Sequence, residues 1–147
     1  MRTNKSKRLN LGLLVDKPFP HPTQKDSKGI INLCFDLSDS VYDIYCHLLT
    51  GKESRLGERA LIASNRIGKR LSHAFATENK VEYLENMELA MDAVVETRFW
   101  LKEIQMKFDH GDFYDEAVER ANELIAVLSY ISEGVTKENK VHFITLN

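Results

Sequence analysis

Cysteine, proline and glycine are all scarce in this chain of 147 residues, and each shortage excludes something. The two cysteines, Cys34 and Cys46, stand twelve residues apart on what the periodicity makes one helix, out of each other's reach. With no Cys-x-x-Cys and no Cys/His pair at ligand spacing, neither a disulfide framework nor a zinc site is supported. Both cysteines are expected as half-buried small apolar residues. The three prolines are Pro18, Pro20 and Pro22, so no proline bars a helix beyond that point. No apolar run approaches the roughly 18 to 20 residues that would span a bilayer. Residues 11–15 are too short for a signal-peptide core and no small-residue cleavage site follows them, so the expected location is the cytoplasm.

Chemistry is equally sparse. There is no glycine-rich phosphate loop and no Gly-x-Ser-x-Gly elbow. A di-metal carboxylate bundle needs Glu-x-x-His on two helices, and none of the five histidines has a glutamate three residues before it. The expectation is a protein with no metal, no cofactor, no small-molecule substrate and no catalytic residues.

What is present is helical periodicity. Residues 83–106 form a long amphipathic run in which Leu84, Met87, Met91, Val94, Val95 and Leu101 recur at three- and four-residue steps. An apolar stripe of that width needs partner helices. Ile30, Leu33, Leu37, Val41, Ile44, Tyr45 and Leu48 predict a first helix over 30–49, with Gly51 as its stop. Leu56, Ala60, Ala63, Ile67, Leu71 and Ala74 predict a second over 55–77, capped by Ser54. The third is expected over 80–108, capped by Thr77 or Asn79. The fourth is expected from a cap at Asp112, with Phe113, Ala117, Ala121, Leu124, Leu128 and Ile131 as its stripe and Gly134 as its stop. Short connections make antiparallel neighbours economical. The fold class is all-α, an up-down-up-down four-helix bundle over 30–134. An irregular basic extension covers 1–29. A tail covers 135–147, in which residues 141–144 fit either a short strand or an apolar segment seeking a groove.

A net charge of −2 hides strong segregation. Residues 1–29 carry seven Lys/Arg against two acids, and residues 51–77 carry six against two. Residues 112–133 carry six acids against Arg120, and residues 30–50 carry Asp36, Asp39 and Asp43 with no base. Arg55, Arg59, Arg66 and Arg70, at steps of four, seven and four, form one strip with Lys69 beside them, suited to a phosphate backbone or an acidic partner. The competing expectation is that this strip pairs with the acidic fourth helix, within the bundle or across subunits. Arg66 and His73 also form Arg-x6-His, loosely similar to the active-site pattern of helical HEPN ribonucleases, in which the two side chains converge on an RNA phosphate.

Three pieces in order carry a closer likeness: Arg55-Leu56-Gly57-Glu58-Arg59, Thr97-Arg98-Phe99-Trp100-Leu101-Lys102, and the Glu/Ala/Leu-rich fourth helix. Over about residues 31–133 the chain resembles the Avd-like four-helix-bundle proteins. These include the accessory variability determinant of diversity-generating retroelements and the bundle proteins encoded in intervening sequences of bacterial large-subunit ribosomal RNA genes. The resemblance implies a non-enzymatic homopentamer that binds a reverse transcriptase and RNA or DNA through basic surface. Arg55, Arg59, Arg98 and Lys102 occupy basic positions of the matching motifs. The chain differs from the retroelement members in its slightly acidic balance and in lacking their Gly-Gly-Trp-type ending of the fourth helix.

The expected function is thus a non-catalytic oligomeric accessory protein, binding through Arg55, Arg59, Arg66, Lys69, Arg70, Arg98 and Lys102. The alternatives are a protein–protein scaffold with no nucleic-acid role and a ribonuclease using Arg66 and His73. Arg98 is expected near the bundle interface with Glu119 or Glu123 as its partner. Trp100, about 200° further round the helix, is expected at a subunit contact.

Overall fold

A computed structural model describes residues 21–107 and 112–146, with side chains for 21–107, 112 and 114–133. Four helices account for nearly all of it: α1 (Gln24–Leu48), α2 (Ser54–Ala76), α3 (Lys80–Lys107) and α4 (Asp112–Leu146). The all-α bundle expected from the periodicity is the observed fold.

The buried positions explain why these helices pack as they do. On α1 they are Ile30, Cys34, Leu37, Val41, Ile44 and Leu48, alternating steps of four and three. The same alternation runs through Gly57, Ala60, Ser64, Ile67, Leu71 and Ala74 on α2. It recurs through Tyr83, Met87, Ala90, Val94, Thr97, Leu101 and Ile104 on α3, and through Tyr114, Ala117, Ala121, Leu124 and Leu128 on α4. A stripe repeating every 3.5 residues stays on one side of a slightly supercoiled helix, so all four stripes converge on one core. Each helix packs extensively on two others, giving the cycle α1–α2–α3–α4; α2 and α4 lie diagonally opposite. The α2–α3 pair is the most intimate; Ala60, Ala63 and Ala74 of α2 and Ala90 and Ala93 of α3 are buried, and side chains this small permit close helix approach.

Polar groups in this core bond locally. The Thr97 hydroxyl donates to the Ala93 carbonyl at 2.7 Å and Ser64 to the Leu61 carbonyl at 2.9 Å, the back-bonding that lets a hydroxyl enter an apolar helix interface. Helix α3 is capped as expected: Asn79 Oδ1 accepts from the Glu82 amide at 3.0 Å, and Thr77 Oγ1 accepts from the Asn79 amide at 3.1 Å.

Several boundaries differ from expectation. Helix α1 begins six residues early, at Gln24 rather than Ile30, because Thr23 caps it: its hydroxyl accepts from the Asp26 amide at 3.1 Å. Residues 24–29 are therefore helical rather than irregular. Ser54 is the first residue of α2 rather than its cap; Glu53 holds that position with no side-chain bond. Gly134 does not stop α4, whose backbone continues as helix to Leu146, so residues 141–144 are helix rather than strand. One glycine costs a helix about 1 kcal/mol, less than a continuing helix recovers. Val95 is 41% exposed instead of lying on the buried face, and Cys46 is exposed rather than half-buried. The extension over 1–20 and the turn at 109–111 lie outside the described residues.

Candidate nucleic-acid and partner interface

The outward face of α2 carries Arg55, Arg59, Ile62, Arg66, Lys69 and His73, all exposed, with Arg70 half-buried at its edge. Helix periodicity places them on the side away from Ala60, Ile67 and Leu71, so burying the alanine stripe against α3 sets the cations outward. Arg66 meets Glu96 of α3 at 3.5 Å, and both side chains are about half exposed, which makes this a weak surface pair. Among the described residues, Arg55, Arg59, Lys69 and Arg70 make no ion pair. The expected pairing of this strip with the acidic fourth helix inside one bundle does not occur. Helices α2 and α4 are diagonal, and the core separates them.

Aromatic and aliphatic groups adjoin the strip. The Arg59 guanidinium carbon lies 4.9 Å from the centre of the Trp100 ring on α3. Phe99 meets Trp100 edge to face, with centroids 4.9 Å apart and planes at 78°. Trp100 is half-buried against the core, while Phe99 is 51% and Ile62 46% exposed. A basic strip bordered by exposed aromatic and branched side chains has the composition of a binding surface: arginine and aromatics give contact, and unpaired cations attract phosphate or carboxylate. Ile62 and Phe99 are the members that periodicity alone passes over. The available signal is an apolar residue between Arg59 and Arg66, off the buried stripe.

Arg98 and Lys102 lie elsewhere. They sit one turn apart on the α4 side of α3, so the seven cations form two groups, not one patch. Arg98 Nη1 donates to Asn122 Oδ1 at 2.9 Å. The helix expected to supply its partner does so, but through a neutral amide; Glu119 and Glu123 flank that position and are exposed. Arg98 thus keeps an uncancelled charge, since among the described residues it makes no ion pair.

The opposite seam, between α1 and α4, is acidic. Asp36, Asp43, Glu116 and Glu123 follow it, and Arg120 bridges it, contacting Glu116 at 2.6 Å and the Asp36 carbonyl at 3.1 Å. Arg66 and His73 share one face of α2 about 10.5 Å apart along the axis and do not converge within one chain. Burial pushes the Cys34 thiol up to about 11, so it carries no thiolate near neutrality. Among the described residues, no three His, Cys, Asp or Glu side chains are grouped to hold a metal ion, and no helix is long and apolar enough to cross a membrane.

The fold has a solved counterpart. The chain is similar in structure to a protein of unknown function from the S23 ribosomal protein family of Bacteroides thetaiotaomicron VPI-5482, with a TM-score of 0.66. The match covers 73% of this chain and 97% of that one at 15% identity, a likeness of fold alone. No protein-family model matches the sequence, and no curated protein does.

Proposed function

We propose that this protein is a non-catalytic, homo-oligomeric accessory factor of the Avd-like kind, working in the cytoplasm. It binds nucleic acid, and a reverse transcriptase acting on that nucleic acid, through the outer face of α2 and α3. The observation that carries this reading is the strip of Arg55, Arg59 and Lys69, exposed and, among the described residues, without acidic partners, with Arg59 over the ring of Trp100. Cations that track a backbone, combined with aromatic faces on which bases stack, are the means of sequence-tolerant single-strand binding.

Assembly is the second part of this reading. Head-to-tail contacts between copies close into rings when the rotation allows, and the pentamer implied by the family resemblance is one such ring. Val95 and Phe99, exposed on α3, supply an apolar contact that leaves the α2 cations free. Light scattering on the full chain should give a mass several times that of a protomer, and Phe99→Glu should reduce it. A monomer at micromolar concentration would contradict the assembly.

The acidic α1–α4 seam favours a second reading, a scaffold that joins proteins and binds no nucleic acid. The ribonuclease reading has weaker support, since Arg66 is paired with Glu96. His73→Ala should leave any RNA cleavage unchanged.

A further inference from the structure

Three apolar side chains on α1 lie outside the core. Phe35, Tyr42 and Leu49 stand at seven-residue steps, and each is more than half exposed. They form a strip about 21 Å long. Tyr42 leans on the Tyr45 ring, with centroids 6.3 Å apart, and the Tyr45 Cα in turn adjoins Gly57 of α2. The strip thus borders the α1–α2 seam, where the exposed α2 positions Asn65 and Ser72 carry no charge. Contiguous exposed apolar surface with a polar rim marks a contact.

A second strip faces the opposite way. Val95, Phe99 and Met106 are exposed on α3 beside Arg98 and Lys102, along the seam with α4, over about 17 Å. In the cycle α1–α2–α3–α4, the α1–α2 and α3–α4 sides are opposite sides of the bundle. The strips also stand at one height. Gly57 adjoins Tyr45 and Leu48, and Arg59, two residues along the same helix, lies over Trp100. Tyr45 and Trp100 are therefore level to within about one turn. Gly68 adjoins Cys34 and Arg66 meets Glu96, so α1 and α3 both run against α2 and hence parallel to each other. Two apolar strips on opposite sides at one height are the two halves of a head-to-tail contact that closes without axial rise.

Charge selects the seating. Beside the α1 strip, on the flank away from α2, stand Asp39 and Asp43; beside the α3 strip, on the α4 flank, stand Arg98 and Lys102. Among the described residues, none of these four makes an ion pair. When α3 of one copy lies parallel on α1 of another, the two flanks fall on the same side, acid against base. The other flank of the α3 strip carries Asp92 and Glu103, so a reversed seating sets acid against acid. We infer that the Phe35, Tyr42 and Leu49 strip of one copy receives the Val95, Phe99 and Met106 strip of the next, with α1 and α3 side by side and parallel. The occupant of the exposed α1 face is a second copy of this chain. This rests on the assembly proposed above and supplies its receiving face. It also sets the basic α2–α3 faces of all copies on one side of the ring and the acidic α1–α4 seams on the other.

Crosslinking on the full chain tests it. Cys46 is exposed on α1 between the apolar strip and Asp39, and Cys34 is buried. The parallel seating brings Cys46 of one copy to the height of residue 102 of the next, so Lys102→Cys leaves both apolar strips intact and adds the facing thiol. A short bismaleimide should link this variant into a ladder of two, three and more chains. The natural chain, and Lys102→Cys combined with Cys46→Ser, should each give about tenfold less linked product. As a second measurement, Tyr42→Glu should lower the mass found by light scattering to that of a protomer, with helical circular dichroism unchanged. Light scattering on the natural chain separates the failures. A natural multimer that yields no ladder, or whose mass survives Tyr42→Glu, would overturn the α1–α3 contact and leave assembly standing. Equal linking in either control would mark a symmetric contact and overturn it too. A natural monomer would overturn the assembly and the contact together.

Discussion

Arg59 on α2 lies over the face of Trp100 on α3, its guanidinium carbon 4.9 Å from the ring centre, at the most intimate helix pair of the bundle. The contact holds a cation against an aromatic ring without cancelling its charge. An ion pair such as Arg66 with Glu96 fixes its cation and cancels it. The two arrangements on one helix face give Arg59 and Arg66 different expected weights in binding.

The first prediction follows from that difference. Because Arg59 is exposed, Arg59→Ala should lower stability by less than about 1 kcal/mol, the range of an exposed cation–π contact. Trp100→Ala should cost about 2 kcal/mol, since half of a large side chain leaves the core edge. A double-mutant cycle by urea denaturation measures the coupling, and a coupling of zero would remove the contact from the account.

Two glycines of α2 should respond oppositely to enlargement. At Gly68 an added Cβ would meet only the Cys34 sulfur at 3.6 Å, an ordinary contact. Gly68→Ala should therefore stabilise by about 1 kcal/mol through helix propensity. At Gly57 the same atom would lie 3.4 Å from the Tyr45 Cα and 3.5 Å from the Leu48 side chain, and backbone cannot yield as a flexible chain does. Gly57→Leu should destabilise, by about 1 to 3 kcal/mol. Thermal unfolding of the two variants gives both signs.

Alkaline pH should weaken the fold in a defined order. Burial raises the Cys34 thiol from 9.0 to about 11 and the Tyr83 hydroxyl from 10.0 to about 12. Above the unfolded value the unfolded chain has lost a proton that the folded chain keeps, so stability falls as pH rises. The loss should begin near pH 9 from Cys34 and continue from pH 10 to 12 from Tyr83. Cys34→Ala should delay its onset to about pH 10. In the folded protein at pH 8, a thiol reagent should modify the exposed Cys46 and spare Cys34.

Much of the fold is legible in the sequence because its signals are local. The 3–4 spacing of Ile30, Leu37, Val41 and Ile44 or of Leu124 and Leu128 reports burial directly. Asn79 three residues before Glu82 marks a helix start whoever its neighbours are. The misplaced boundaries have the same origin. Pro22 and Gly29 suggest irregular chain, yet Thr23 caps α1 between them, and its signal is a hydroxyl three residues before Asp26. Gly134 is read as a stop because local propensity is all that a sequence displays at one position. The interface was half legible: Arg55, Arg59, Arg66 and Lys69 follow from helical spacing on α2 alone. Arg59 over Trp100 and Arg98 on Asn122 depend on the axial register of two helices, which no single-helix pattern encodes. A one-turn difference in that register would have given Arg98 a glutamate. The diagonal placement of α2 and α4, which rules out their pairing, is likewise a property of the whole bundle.

The central claim is that the α2–α3 face binds nucleic acid through Arg55, Arg59 and Lys69, which make no ion pair among the described residues. Titrating a fluorescein-labelled single-stranded RNA with the full chain and following anisotropy at salt concentrations from 50 to 200 mM (roughly the range over which phosphate contacts weaken measurably) tests it most directly. Binding should weaken steeply with salt, and Arg55→Glu with Arg59→Glu should lower affinity by about tenfold or more and flatten the salt slope. Absence of binding at the lowest salt, or a variant that binds as well as the natural chain, would contradict the claim.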